Sequence, residues 1–302
     1  MLGSGGIGGF LGGALTKSGN DVWFIARGSH LQAMREQGLS VDSIALGKFN
    51  VKVKATDKPS DIGNVDQVLF TVKSYDTESA LQQTRPLVGK DTIVLSFQNG
   101  VDNEDKIAEA LGKEHVLAGI ISVESYIAEP GKIAQTMGPV RMAIGEMDGQ
   151  TTTRAKMVHE AFVKAGLKCE LSDHIEQVLW EKFLFIVGTG GVCSISRASI
   201  GEILAFEPTR QLFIAVMEEV EAVAKAKGIN LPNDIVTTTL ATSGKMNKAT
   251  KPSMLRDLER GKKLEVDALN GTVSSLGHQL SVPTPVDDFI YACLKIQDQR
   301  KA

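Results

Sequence analysis

The sequence predicts an α/β protein in two parts, a doubly wound domain followed by an all-α domain, and three observations predict it. Short strands that are apolar on both faces alternate with helix-like segments through the first half. A glycine motif opens the chain where a tight turn leads into a helix. After Asp173 only helical periodicity remains.

The opening motif is Gly3-Ser4-Gly5-Gly6-Ile7-Gly8, a G-x-G-x-x-G at the start of a helix expected to run to about Ser18. Gly3, Gly5 and Gly6 allow the turn and let backbone N–H groups approach a pyrophosphate at the helix N-terminus, while Gly8 allows close helix–sheet contact. The alternative for an isolated motif is a flexible glycine-rich tail. Only Met1 and Leu2 precede Gly3, where about five strand residues are usual, so the first strand is expected to be truncated, with weakened cofactor binding.

The next strand, 22–25, leads into Ala26-Arg27. An acid here would favour a ribose 2′-hydroxyl, whereas Arg27 favours a 2′-phosphate and therefore NADPH/NADP+ over NADH. Strands follow at 67–72 and 92–97, each with a helix after it, which makes the first part a Rossmann-type domain. Added strands are expected at 118–126, 132–137 and 140–145, then a helix at about 152–165 and a last strand within 166–173. In the second part, 207–227 carries Leu212, Phe213, Val216, Val220 and Val223 on one helical stripe, closed by Gly228. Residues 1–170 are thus expected to form the NADP(H)-binding domain, and 171–302 a helical domain.

Composition excludes several classes. Net charge is −3 and no basic block could neutralise a run of phosphates, so no nucleic-acid partner is expected. No stretch reaches the ~18 uninterrupted apolar residues of a membrane span; the longest candidate, 183–192, is interrupted by Gly188, Gly190 and Gly191. Three cysteines, Cys169, Cys193 and Cys293, give no disulfide framework and fit a reducing cytoplasm, with Cys193 read as packed rather than reactive. The five histidines have no metal-ligand spacing, so no metal is expected.

Three positions carry candidate chemistry in the second part and its approach. Lys182 has Val178, Leu179, Phe185 and Ile186 as helical neighbours, which places an ammonium on an apolar face where burial would suit it to acid–base work. The alternative is a lysine that snorkels to solvent. Pro252 and Ser253 read as the first turn of a short helix ending at Gly261, and Glu265 as lying in the first turn of the next one. Plain capping and a solvent-facing acid are the alternatives for these two.

Taken in order, the pieces resemble the ketopantoate reductase (2-dehydropantoate 2-reductase) family over essentially the whole length. They are the glycine loop, Ala26-Arg27-Gly28-Ser29-His30-Leu31, Val72-Lys73-Ser74-Tyr75, Gln98-Asn99-Gly100, Leu179-Trp180-Glu181-Lys182, Pro252-Ser253-Met254-Leu255-Arg256-Asp257, Glu265-Val266-Asp267-Ala268-Leu269-Asn270-Gly271 and Val282-Pro283-Thr284-Pro285. The resemblance implies NADPH-dependent reduction of a 2-oxo acid in an interdomain cleft, ketopantoate to pantoate in pantothenate biosynthesis being the leading case. By the same carry-over Lys182 is the general acid and Glu265 the active-site acid beside it. Ser253 holds the substrate carboxylate, Asn99 meets nicotinamide and substrate, Lys73 contacts the cofactor, and Arg27 takes the 2′-phosphate.

One departure bears on the substrate. The family pattern has asparagines where this chain has Ile186, Gly190 and Thr250. Losing the partner of a buried substrate hydroxyl costs about 1–3 kcal/mol, so a reductase of another aliphatic 2-oxo acid is an alternative. A 3-hydroxy acid dehydrogenase and a non-catalytic NADP(H)-binding sensor are two others. A homodimer is expected from the apolar helical part.

Overall fold

A computed structural model describes residues 1–300. The chain divides into two compact units. One is Met1–Gln98 with Asp102–Ile175; the other is Asn99–Val101 with the chain from Glu176 onward.

The first unit runs α1 (Gly6–Lys17), β1 (Trp23–Ile25), α2 (Gly28–Gln37), β2 (Leu39–Ser43), β3 (Gly47–Val51), β4 (Lys54–Thr56), β5 (Gln67–Phe70), α3 (Thr77–Thr84), β6 (Ile93–Ser96), α4 (Asn103–Leu111), β7 (Val116–Glu129), β8 (Lys132–Gly145), α5 (Thr153–Lys164) and β9 (Cys169–Leu171). Strands β5, β6 and β7 are parallel neighbours, β7 and β8 form a long antiparallel ribbon, and β8 pairs with β2 and β9. Alternation along β5 and β6 sends Leu69, Ile93 and Leu95 to one buried cluster with Phe10 and Phe24, and Val68, Phe70 and Val94 to another with Ile107. Both faces of the sheet are therefore covered, as the doubly wound Rossmann-type fold requires.

Leu2 takes the place of the central strand. It makes isolated parallel bridges to Ile25 and Phe70, with Leu2 N–H donating to the Leu69 carbonyl at 2.9 Å and Thr71 N–H to the Leu2 carbonyl at 2.9 Å. On the other side the Met1 carbonyl accepts from Ile25 N–H at 2.9 Å, so Met1 and Leu2 together join the β1–β4 pair to the larger sheet.

Three sequence expectations need correction. The strands expected at 132–137 and 140–145 are one continuous β8. The antiparallel pair β2–β3 and the short β4 were not anticipated; they are joined by turns, with Gly47 at φ 75°. Leu212, expected on the buried stripe, is 42% exposed, whereas Phe213, Val216, Val220 and Val223 are fully buried.

The second unit holds α6 (Ile175–Ser196), α7 (Ile200–Ala205), α8 (Glu207–Ala226), α9 (Ile235–Gly244), α10 (Ser253–Glu259), α11 (Asn270–Leu280) and α12 (Pro285–Gln299). Helix α6 is long and apolar enough, by length and composition, to cross a membrane, and 72% of its most apolar window is buried inside the protein. Its glycines do not break it. A Cβ on Gly188 would fall 2.7 Å from the Phe213 ring, and one on Gly191 2.7 Å from Asn270 Nδ2, so these positions let α8 and α11 approach.

Glu219 of α8 caps α12, accepting from Val286 N–H at 2.9 Å and Asp287 N–H at 2.8 Å. The Asp287 side chain is fully buried and accepts from Asn270 Nδ2 at 2.8 Å. Burial pushes its carboxyl well above the ordinary range; the Asn270 amide opposes this and the Glu219 carboxylate adds to it. The folded state thus holds this proton more tightly than the unfolded chain. The stability it confers is complete below about pH 4 and is lost as pH rises through the raised value. An Asp287→Asn variant is expected to gain about 1–3 kcal/mol at about pH 8 and less at about pH 5, read from thermal melts at the two pH values.

Candidate cofactor and substrate site

The glycine loop is fixed by its neighbours at three of its four glycines. Gly3 sits at φ 96°, and Thr71 Oγ1 donates to its carbonyl at 2.6 Å. A Cβ on Gly6 would lie 2.1 Å from the Ser125 carbonyl oxygen, and one on Gly8 2.0 Å from the Gly3 carbonyl oxygen. A Cβ on Gly5 would meet nothing within 4 Å. Gly5 is the N-cap residue of α1 and lines a cavity of about 250 Å³, so the one open glycine faces the space where a phosphate would meet the helix N-terminus.

That contrast gives a test. Gly5→Ala is expected to keep its melting temperature while losing roughly tenfold or more in NADPH affinity, because the methyl group enters the cavity. Gly8→Ala is expected to lose about 1–3 kcal/mol of stability in denaturant titrations, because its methyl meets backbone.

Arg27 lines the same cavity, as the extended N-cap residue of α2. Lys73 follows Val72, another lining residue, and is half-buried at the start of the turn before α3. His30, quoted above only as part of the segment after Arg27, and Asp76, Ser79 and Gln83, which sequence reasoning did not single out, also line the cavity. His30 Nδ1 accepts from Gly131 N–H at 3.0 Å, and burial lowers its pKa against a smaller opposing contact with the Ser4 backbone. Burial thus favours the neutral ring, in which Nδ1 accepts and the proton sits on Nε2.

In the second unit Lys182 is half-buried on α6, with Val178 and Leu179 buried and Phe185 and Ile186 partly covered. Asn99 Nδ2 donates to Glu265 Oε2 at 3.5 Å across 166 positions of sequence. Glu265 is 6% exposed. It does not lie in a helical first turn as expected: α11 begins at Asn270, and Glu265 stands before the turn at 266–269, its carbonyl accepting from Leu269 N–H at 3.1 Å. Its segment is instead held by α12, where Asp298 Oδ1 accepts from Leu264 N–H at 2.7 Å, and Asp267 accepts from Lys295 at 2.6 Å and Tyr291 at 2.9 Å.

Ser253 is exposed as the first residue of α10, with Pro252 at the N-cap and Gly261 at φ 68° beyond the end. Gly190 is buried, and a Cβ there would lie 3.3 Å from Met254 Cε and 3.7 Å from Leu269 Cδ1. The Thr250 carbonyl accepts from Ile200 N–H at 3.0 Å, while its buried hydroxyl oxygen has no hydrogen-bond partner. Cys193 is fully buried, and burial pushes its thiol up to about 12, which makes it a packed rather than a reactive cysteine.

Both halves of the chain match one family. Residues 1–149 match the family model described as Ketopantoate reductase PanE/ApbA, and residues 174–298 match Ketopantoate reductase PanE/ApbA C terminal. The chain belongs to the ketopantoate reductase family. Within it, the chain is 31% identical to the uncharacterized oxidoreductase YkpB of Bacillus subtilis, covering 100% of this chain and 99% of that protein. It is 30% identical to the 2-dehydropantoate 2-reductase of Mesorhizobium japonicum, over 98% and 96% of the two chains. Among solved structures, the PanE/ApbA family ketopantoate reductase of Ralstonia eutropha JMP134 superposes with a TM-score of 0.91 at 31% identity, covering 99% of this chain and 98% of that one. Family membership makes the chain an oxidoreductase of the 2-dehydropantoate 2-reductase type.

Proposed function

We propose that this protein reduces a 2-oxo acid to the 2-hydroxy acid at the expense of NADPH, with 2-dehydropantoate to pantoate in pantothenate biosynthesis as the leading reaction. The geometric observation that carries the reading is the cavity shared by Gly3, Gly5 and Arg27, which suits a pyrophosphate and a 2′-phosphate. In this reading residues 1–170 bind cofactor, residues 171–302 bind substrate, catalyse and dimerise, and the enzyme works in the cytoplasm.

The bound dinucleotide supplies hydride to the keto carbon. The chain's own groups do the rest. The Lys182 ammonium hydrogen-bonds the keto oxygen and gives it a proton as negative charge develops there. The Ser253 hydroxyl holds the substrate carboxylate. Glu265 accepts from the Asn99 amide; in this reading Asn99 meets nicotinamide and substrate, and Glu265 is the active-site acid. Lys73 supports the cofactor, and Arg27 takes its 2′-phosphate.

A second substrate reading has its own support. Gly190 is buried against Met254 and Leu269, and Ile186 stands one turn earlier on α6, so the two positions where the family pattern has asparagines offer no side-chain donor for a substrate hydroxyl. Another aliphatic 2-oxo acid needs no such donor. NADPH oxidation against a panel of 2-oxo acids separates the two. A kcat/KM for ketopantoate near ~10⁵ M⁻¹s⁻¹, with the others far lower, supports the leading reaction. A better aliphatic substrate replaces it, and no turnover on any 2-oxo acid sinks the proposal.

A further inference from the structure

Arg27 has a neutral partner. Its Nη2 donates to Gln83 Oε1 at 3.3 Å. Gln83 Nε2 in turn donates to the Ser79 carbonyl at 3.2 Å, one turn earlier on α3, which fixes the amide with its oxygen toward the guanidinium. Arg27, Ser79 and Gln83 all line the cavity that the glycine loop opens into. Asp76 lines it too, yet among the described residues no carboxylate forms an ion pair with Arg27. Among the described residues that line the cavity, Arg27 is the only lysine or arginine.

We infer that Gln83 is a positioning residue that sets the dinucleotide selectivity of the site, holding the Arg27 guanidinium in place without cancelling its charge. This deepens the proposed function and rests on Arg27 as the 2′-phosphate ligand. The physics lies in the choice of partner. A carboxylate at position 83 would form a charge-assisted pair with the guanidinium and occupy the donors a phosphate needs. It would also set a negative charge beside a group carrying nearly two more. An amide gives direction alone, so the fork stays charged and oriented. NADH lacks the 2′-phosphate and is indifferent to the difference.

The test is fluorescence titration of NADPH and of NADH into the full chain and four variants, with thermal melts as the control for folding. Arg27→Ala is expected to lower NADPH affinity roughly tenfold to a hundredfold while leaving NADH nearly unchanged. Gln83→Glu is expected to lower the NADPH-to-NADH affinity ratio roughly tenfold, with less effect at high salt. Gln83→Met, neutral and of similar length, is expected to lower it about threefold by freeing the guanidinium, and Gln83→Ala is expected to behave like Gln83→Met. A ratio that falls with Arg27→Ala but stays at the wild-type value in all three Gln83 variants overturns the inference and leaves the Arg27 assignment standing. A ratio unmoved by Arg27→Ala overturns that assignment and the inference with it.

Discussion

Lys182→Ala is expected to lose roughly 10³-fold in kcat on every 2-oxo acid the enzyme accepts while binding NADPH as tightly as the wild type. The size follows from the two tasks given to the lysine. Proton transfer to the substrate oxygen is worth ~10²–10⁴, and a positive donor at a developing oxyanion ~10²–10³; one side chain performing both does not deliver the product of the two. Cofactor affinity is the informative control, because Lys182 lies on α6 in the helical unit while the glycine loop and Arg27 belong to the other. Lys182→Arg keeps the charge but not the proton-transfer chemistry, since a guanidinium does not give up its proton near neutral pH, so it is expected to recover little. A variant that retains turnover would move the acid role to another group.

Arg154→Ala is expected to cost about 3 kcal/mol of unfolding free energy, measured by denaturant titration. Glu146 is 5% exposed and accepts from Arg154 Nε at 2.7 Å and from Thr152 Oγ1 at 2.5 Å. Arg154 Nη2 also reaches the Val116 carbonyl at 3.0 Å, and Nη1 donates to the Glu114 carbonyl. One guanidinium thereby ties the start of α5 to the end of β8 and the start of β7. The Glu146 hydrogen bonds raise the Arg154 pKa against a smaller opposing effect of burial, so the guanidinium stays charged. Removing the arginine leaves a buried carboxylate with one hydroxyl, which typically costs about 3–5 kcal/mol. The lower end applies because the Arg154 side chain is 30% exposed. Combining Arg154→Met with Glu146→Leu is expected to restore much of the loss, because no uncompensated charge then remains buried.

Much of the fold was legible because its strongest signals are local. Strands β5 and β6 each carry three consecutive apolar residues, Val68–Phe70 and Ile93–Leu95, and the helical stripe of α8 predicted its buried face except at Leu212. The pair β2–β3 was passed over although Phe49, Val51 and Val53 alternate with polar residues, since five-residue strands with polar outer faces give a weak pattern. Glu265 shows a different failure. Leu264-Glu265-Val266-Asp267-Ala268-Leu269 is good helix sequence, but the Leu264 amide and the Asp267 carboxylate are taken by Asp298, Tyr291 and Lys295 of α12. Tertiary partners outcompete propensity there. In the candidate site, Gly3, Gly5 and Arg27 announced themselves through motif spacing. Gln83 and Ser79 gave no such signal, because they reach the cavity from α3 only once the sheet has assembled.

Helix α1 carries five glycines in twelve residues. Relative to alanine, each weakens an isolated helix by about 0.8–1 kcal/mol, so this segment has no helical stability of its own. Gly9, Gly12 and Gly13 instead fit against Ile133, Phe24 and Val41, side chains that come from β8, β1 and β2. The dinucleotide loop is therefore a late product of folding: it can form only after strands distant in sequence have come together. A partly folded chain should bind no cofactor. In native-state hydrogen exchange, the α1 amides should open together with the sheet rather than ahead of it.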